Sequence, residues 1–126
     1  QIIHLLMTEY AAPPSPFAKK HTDKIKTVLS YVDVHYAEEI SIENMAKLCF
    51  YSKSYFMKFF KESMGISFIA YLNNYRLEIA ARMLKAADDN ILAISSACGF
   101  DNLSYFNRSF KKKYGVTPGK YRKQQP

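Results

Sequence analysis

Lys58 and Arg108 hold the same place in two copies of one pattern. Residues 54–67 read SYFMKFFKESMGIS and residues 104–117 read SYFNRSFKKKYGVT; at an offset of 50, Ser, Tyr, Phe, Phe, Lys and Gly are identical. In the first copy Phe56, Phe59, Phe60 and Met64 recur at helical spacing, and in the second Phe106, Phe110 and Tyr114 do, which turns them toward a core. Lys53, Ser54, Met57, Lys58 and Lys61 then point away from it, as do Ser104, Asn107, Arg108 and Lys111, with Leu103 near the second helix start. These side chains match base edges: Arg108 can donate twice to a guanine, Asn107 can pair with an adenine, and Met57 or Leu103 can touch a thymine methyl. Lys53, Lys61, Lys111 and Lys112 suit phosphate oxygens as cations. Hydroxyls and free N–H groups at the two helix starts, around Ser52, Tyr55 and Tyr105, suit them as donors.

Other chemistry finds little support. His4, His21 and His35 are scattered, without carboxylates at useful spacing. Cys49 and Cys98 form neither a metal-ligand pair nor a disulfide framework; at equivalent repeat positions they read as buried packing residues in a reducing cytoplasm. No nucleophile–base set, metal cluster or phosphate loop appears, so no enzyme, cofactor or metal is expected. The longest apolar stretches fall far below the ~18 residues of a membrane span. Ile2–Met7 lacks the basic start and cleavage site of a signal peptide, and the opening Gln1 reads as part of a longer protein.

The positioning elements are helical throughout. Residues 1–12 are mildly amphipathic and read as the tail of an upstream domain; Pro13, Pro14 and Pro16 make 13–20 a semi-extended linker. From Asp23, the spacing of Ile25, Val28, Leu29, Val32 and Tyr36 predicts a helix ending near Tyr36 or Ala37. Ser41 caps a short helix bearing Ile42, Met45, Ala46 and Cys49. The first aromatic helix starts at Ser52 or Ser54 and stops at Gly65. Ser67 begins a longer one that runs through Phe68, Tyr71, Leu72, Tyr75, Ile79, Ala80, Met83 and Leu84 to about Ala87. Its roughly 20 residues span ~30 Å, near the ~34 Å of one duplex turn. Helices at Ile91–Cys98, Leu103–Tyr114 and Pro118–Lys123 follow, the last with Pro in its first turn. Period-2 alternation never persists, so the fold class is all-α with about seven helices.

The repeat extends upstream. Met45, Ala46 and Cys49 match Ile94, Ser95 and Cys98 at an offset of 49, and the one-residue change falls in the turn between helices. Each copy is therefore a short helix, a turn and an aromatic helix, with a small residue (Ala46, Ser95) at the crossing, which is the helix-turn-helix arrangement. The expected organisation is tail and linker 1–20, first helix-turn-helix 21–66, connecting helix 67–87 and second helix-turn-helix 88–126.

The 126 residues carry a formal charge of +7, with 48% apolar and 23% charged. Residues 91–126 hold seven Lys/Arg against Asp101, whereas residues 21–40 hold two Lys against four acids. This bias favours a polyanionic partner at the C-terminal third. A helical adaptor with a basic face for acidic proteins shares the composition; duplex DNA differs by its steep salt response and base choice.

The stretch GFDNLSYFNRSFKKKYGVTPGKYR, Gly99 to Arg122, resembles the C-terminal signature of the AraC/XylS family of bacterial transcription regulators. Gly99, Phe100, Ser104, Tyr105, Phe106, Arg108, Phe110, Lys111, Gly115, Thr117, Pro118, Tyr121 and Arg122 carry the match, as do Tyr71, Leu72, Arg76, Ala80 and Leu84 on the connecting helix. The resemblance covers about residues 23–123. It implies seven helices, binding to double-stranded promoter DNA usually for activation, RNA polymerase as a partner, and an upstream sensing or dimerising domain. By position it implies base contacts from Ser54, Met57, Lys58, Leu103, Ser104, Asn107 and Arg108. Phe50 departs from the family's glycine, and a bulky residue there disfavours positive φ; Ala93 and Ser95 are smaller departures. Lys58 and Met57 also predict weaker discrimination from the first unit, whereas the family's first unit is often the more specific one. Arg76, on an apolar helix, is expected to pair with an acidic side chain rather than with DNA.

Overall fold

The computed structural model describes residues 16–124, and among them every regular element is a helix. In chain order these are α1 (Pro16–His35), α2 (Ile42–Leu48), α3 (Lys53–Met64), α4 (Phe68–Ala86), α5 (Ile91–Ala97), α6 (Leu103–Tyr114) and α7 (Pro118–Lys123). The amphipathic tail expected at 1–12 and the first three residues of the expected linker lie outside the described residues. The rest of that linker is corrected: the backbone of 16–20 is already helical. Pro16 stands at the first position of α1, where its missing N–H would have had no intrahelical partner in any case.

The chain forms two compact units. The first contains described residues 16–34 and 40–68; the second contains 35–39 and 69–124. In the first, Ile25, Val28 and Val32 of α1 are buried, as are Met45, Ala46 and Cys49 around α2 and Phe56, Phe59, Phe60 and Met64 on α3. Phe68 closes this core, its ring 5.6 Å from Phe56 and 5.4 Å from Phe60, both in edge-on contacts. The second unit is built around Leu77, Ala80, Ala81, Leu84, Ile94, Cys98, Phe100, Phe106 and Phe110. Leu77 and Ala81 extend the apolar face of α4 beyond the residues expected from spacing. Except for Phe68, the intended connecting helix is thus a core element of the second unit.

The repeat is visible in the hydrogen bonds of the turns. Tyr51 N–H donates to Ala46 O and Phe50 N–H to Lys47 O, at 2.9 and 3.0 Å. Phe100 N–H donates to Ser95 O and Gly99 N–H to Ser96 O, both at 3.0 Å, repeating the pattern 49 residues later. The caps then shift to an offset of 50. Tyr55 N–H donates to the Ser52 hydroxyl, and Tyr105 N–H to the Asn102 carboxamide oxygen. The extra residue is therefore Asp101, in the turn where the sequence offsets place it. Gly65 and Gly115 end α3 and α6 in the left-handed conformation, with φ of 82° and 83°.

Candidate nucleic-acid interface

Capping and core packing together orient α3 and α6. With Phe56, Phe59, Phe60 and Met64 buried, Ser54, Met57, Lys58 and Lys61 are all exposed on the other side of α3. With Phe106 and Phe110 buried, Leu103, Ser104, Arg108, Lys111 and Lys112 are exposed on α6, and Asn107 is half-buried at the margin. Among the described residues, Lys58, Lys61, Arg108, Lys111 and Lys112 take part in no ion pair, so their charges remain available to an outside anion. Three lysines in the last turn of α6 also sit favourably at the negative end of the helix dipole.

Several expected donors are already engaged. The N–H groups of Tyr55 and Tyr105 are not free, because the Ser52 and Asn102 side chains accept from them at 3.2 and 2.9 Å. The Ser52 hydroxyl is itself a capping acceptor. Lys53 bridges to Glu43 at 3.1 Å on an exposed surface. A backbone hydrogen bond at Glu43, then Lys53, holds that carboxyl below its usual range; an exposed bridge of this kind is weak and exchangeable. Lys113 lies 3.7 Å from Glu78, so its charge already has a partner. Tyr55 and Tyr105 remain partly exposed, at 43% and 41%. The Tyr55 ring packs on Tyr51 at 4.6 Å, and the Tyr105 hydroxyl accepts from the Asn73 carboxamide at 2.7 Å.

Arg76 corrects another expectation. Its guanidinium does not pair with an acidic side chain. It donates from Nε to Tyr36 O at 2.7 Å and from its terminal nitrogen to Glu38 O at 2.8 Å. These carbonyls follow α1, where orphan acceptors collect. Burial lowers the Arg76 pKa from its ordinary value, with Asp101 opposing the shift. Arg122 does the same for α4, donating to Leu84 O and Ala87 O at 3.0 and 2.9 Å.

Spacing arguments also missed the capping roles of Asn90 and Asn102 and the Asn73 contact. The signal for Asn102 was present, since it stands 50 residues after Ser52 and is an equally good cap type. Asn73 left no local signal, because its partner lies 32 positions away. Both cysteines are buried and free, and burial pushes the Cys98 thiol up to about 11, which makes it a packing group rather than a nucleophile. No group of His, Cys, Asp or Glu able to hold a metal ion occurs among the described residues, and none of their helices is long and apolar enough to cross a membrane.

A family model described as a helix-turn-helix domain matches residues 45–124. The regulatory protein PocR of Salmonella typhimurium is 38% identical over 104 residues, covering 82% of this chain and 34% of that protein. This chain therefore spans about a third of the length of that relative. The C-terminal domain of AraT, a response regulator from Geobacillus stearothermophilus, superposes with a TM-score of 0.76 at 30% identity, covering 90% of this chain and 89% of that one. The fold is also that of a transcriptional regulator with an AraC-type DNA-binding domain from Chromobacterium violaceum, at a TM-score of 0.74 and 23% identity over 83% and 96% of the two chains. With two helix-turn-helix copies, each turning exposed cations outward, and with these relatives, the chain belongs to the AraC-type family of transcription-regulator DNA-binding domains.

Proposed function

We propose that the chain recognises specific promoter sequences by placing α3 and α6 in adjacent major grooves of one duplex. Base edges are read by Ser54, Met57 and Lys58 from α3 and by Leu103, Ser104, Asn107 and Arg108 from α6. Phosphates are held by Lys61, Lys111 and Lys112, by the Tyr55 and Tyr105 hydroxyls, and by Lys53 once it exchanges Glu43 for a phosphate oxygen. The observation that carries this reading is the shared placement of Lys58 and Arg108: among the described residues each is exposed and outside any ion pair, two residues after the first buried phenylalanine (Phe56, Phe106) of a repeated helix. In the whole protein, this domain would act in the cytoplasm, joined to a sensing or dimerising region, and would engage RNA polymerase to activate transcription.

Selection of bound duplexes from a random pool tests the reading. Two short motifs one helical turn apart are expected, one for each unit. Arg108→Ala should cost about 1–3 kcal/mol in binding and relax the preference at one base position. Undiminished affinity and selectivity in that variant would remove Arg108 from the groove.

A further inference from the structure

We propose that Asn73, on α4, is a positioning residue for recognition by α6: it fixes Tyr105, and through Tyr105 the guanidinium of Arg108. The proposal rests on the groove reading above. Tyr105 is held at three points. Its N–H donates to the Asn102 side chain at 2.9 Å, its ring lies 6.3 Å from that of Phe100, and its hydroxyl oxygen accepts from the Asn73 carboxamide at 2.7 Å. Because that oxygen is the acceptor, the phenolic proton remains available for a further acceptor on the exposed side.

One turn further along α6, the Arg108 guanidinium carbon lies 6.0 Å from the centre of the Tyr105 ring. That is the outer range of a cation–π contact. A long arginine loses rotamer freedom when it docks on a base, and a ring that cannot swing away reduces the loss. Asn73 thereby serves two ends at once. It leaves the Tyr105 hydroxyl poised to donate to a phosphate oxygen, and it fixes the surface on which Arg108 rests. Neither effect requires Asn73 to touch the nucleic acid.

The test uses the duplex that the parent protein selects from a random pool, with affinity and base preference measured for Asn73→Ala, Tyr105→Phe, the double variant and Arg108→Ala. Loss of one hydrogen bond in the positioning relay should weaken binding about five- to tenfold in Asn73→Ala. Preference should relax at the base position read by Arg108 and not elsewhere. In the Tyr105→Phe background, Asn73→Ala should have no further effect, because the bond it would break is already absent. Thermal melting of both single variants should stay near that of the parent. Tyr105→Phe keeps the aromatic packing, so it stands as the informative variant should Asn73→Ala fold poorly. Additive losses, or unchanged base preference in Tyr105→Phe, would overturn the relay. If Arg108→Ala costs affinity while Asn73→Ala and Tyr105→Phe do not, the relay alone fails; if Arg108→Ala also costs nothing, the groove reading fails with it.

Discussion

Positions 50 and 99 make the same turn with opposite chemistry. Phe50 has a φ of 62° and Gly99 one of 96°, and the turn hydrogen bonds around them are equivalent. At Gly99 a Cβ would stand 2.7 Å from Tyr36 O and 2.9 Å from Arg76 Nε, so glycine is required by space as well as by φ. At position 50 the phenylalanine side chain is 90% exposed, so nothing opposes it except backbone strain. The left-handed conformation costs a non-glycine residue about 1–2 kcal/mol, and glycine's extra freedom in the unfolded chain returns part of that. Phe50→Gly should therefore stabilise the first unit by up to about 1 kcal/mol, read as a higher denaturation midpoint. Gly99→Ala should destabilise the second by about 2–4 kcal/mol, since backbone must move to admit the methyl group. Equal effects of the two substitutions would contradict this account. Sequence reasoning saw that Phe50 disfavours positive φ; it could not see that the turn's hydrogen bonds outweigh the strain.

At the level of elements, what was legible is what is local. The aromatic spacing of α3 and α6, the cap at Ser41, Pro118 at the start of α7 and the all-α architecture all depend on residues within a turn or two of each other. What was hidden depends on distant partners: the carbonyls that Arg76 and Arg122 satisfy, the Lys113–Glu78 pair, and the Asn73–Tyr105 bond. The residues expected to point outward on α3 and α6 are exposed, apart from the half-buried Asn107, because burial of Phe56, Phe59 and Phe60 on α3 and of Phe106 and Phe110 on α6 leaves the opposite faces to solvent. Two energies separate these contributions. Asn102→Ala removes a cap and should cost about 1 kcal/mol. Phe110→Ala empties a fully buried site among Phe106, Tyr114 and Tyr121 and should cost about 3–5 kcal/mol. Chemical denaturation monitored by helix content should preserve that order, and a parental midpoint for Phe110→Ala would contradict the core assignment.

For the whole molecule, the net charge of +7 says less than its distribution. A cation contributes to the salt dependence of DNA binding only if it displaces a condensed counterion from a phosphate. Lys24 lies over the Tyr51 ring at 4.0 Å, and Lys85 is held by Gln124 O and lies 4.8 Å from the Tyr121 ring. Lys113 faces Glu78. Among the described residues Lys61, Lys111 and Lys112 are in no ion pair, and Lys53 is in an exposed, exchangeable one. If these four meet phosphates, the logarithm of the binding constant should fall with the logarithm of salt at a slope of roughly −3 to −4, well below what the full charge would give. Lys111→Ala should make that slope shallower by about one while leaving base preference intact, whereas Lys85→Ala should leave the slope alone. Titrations of the selected duplex across a range of potassium chloride concentrations measure both. A Lys85→Ala slope that fell as far as the Lys111→Ala slope would mean that binding responds to total charge, and the assignment of phosphate contacts to the outer faces of α3 and α6 would have to be abandoned.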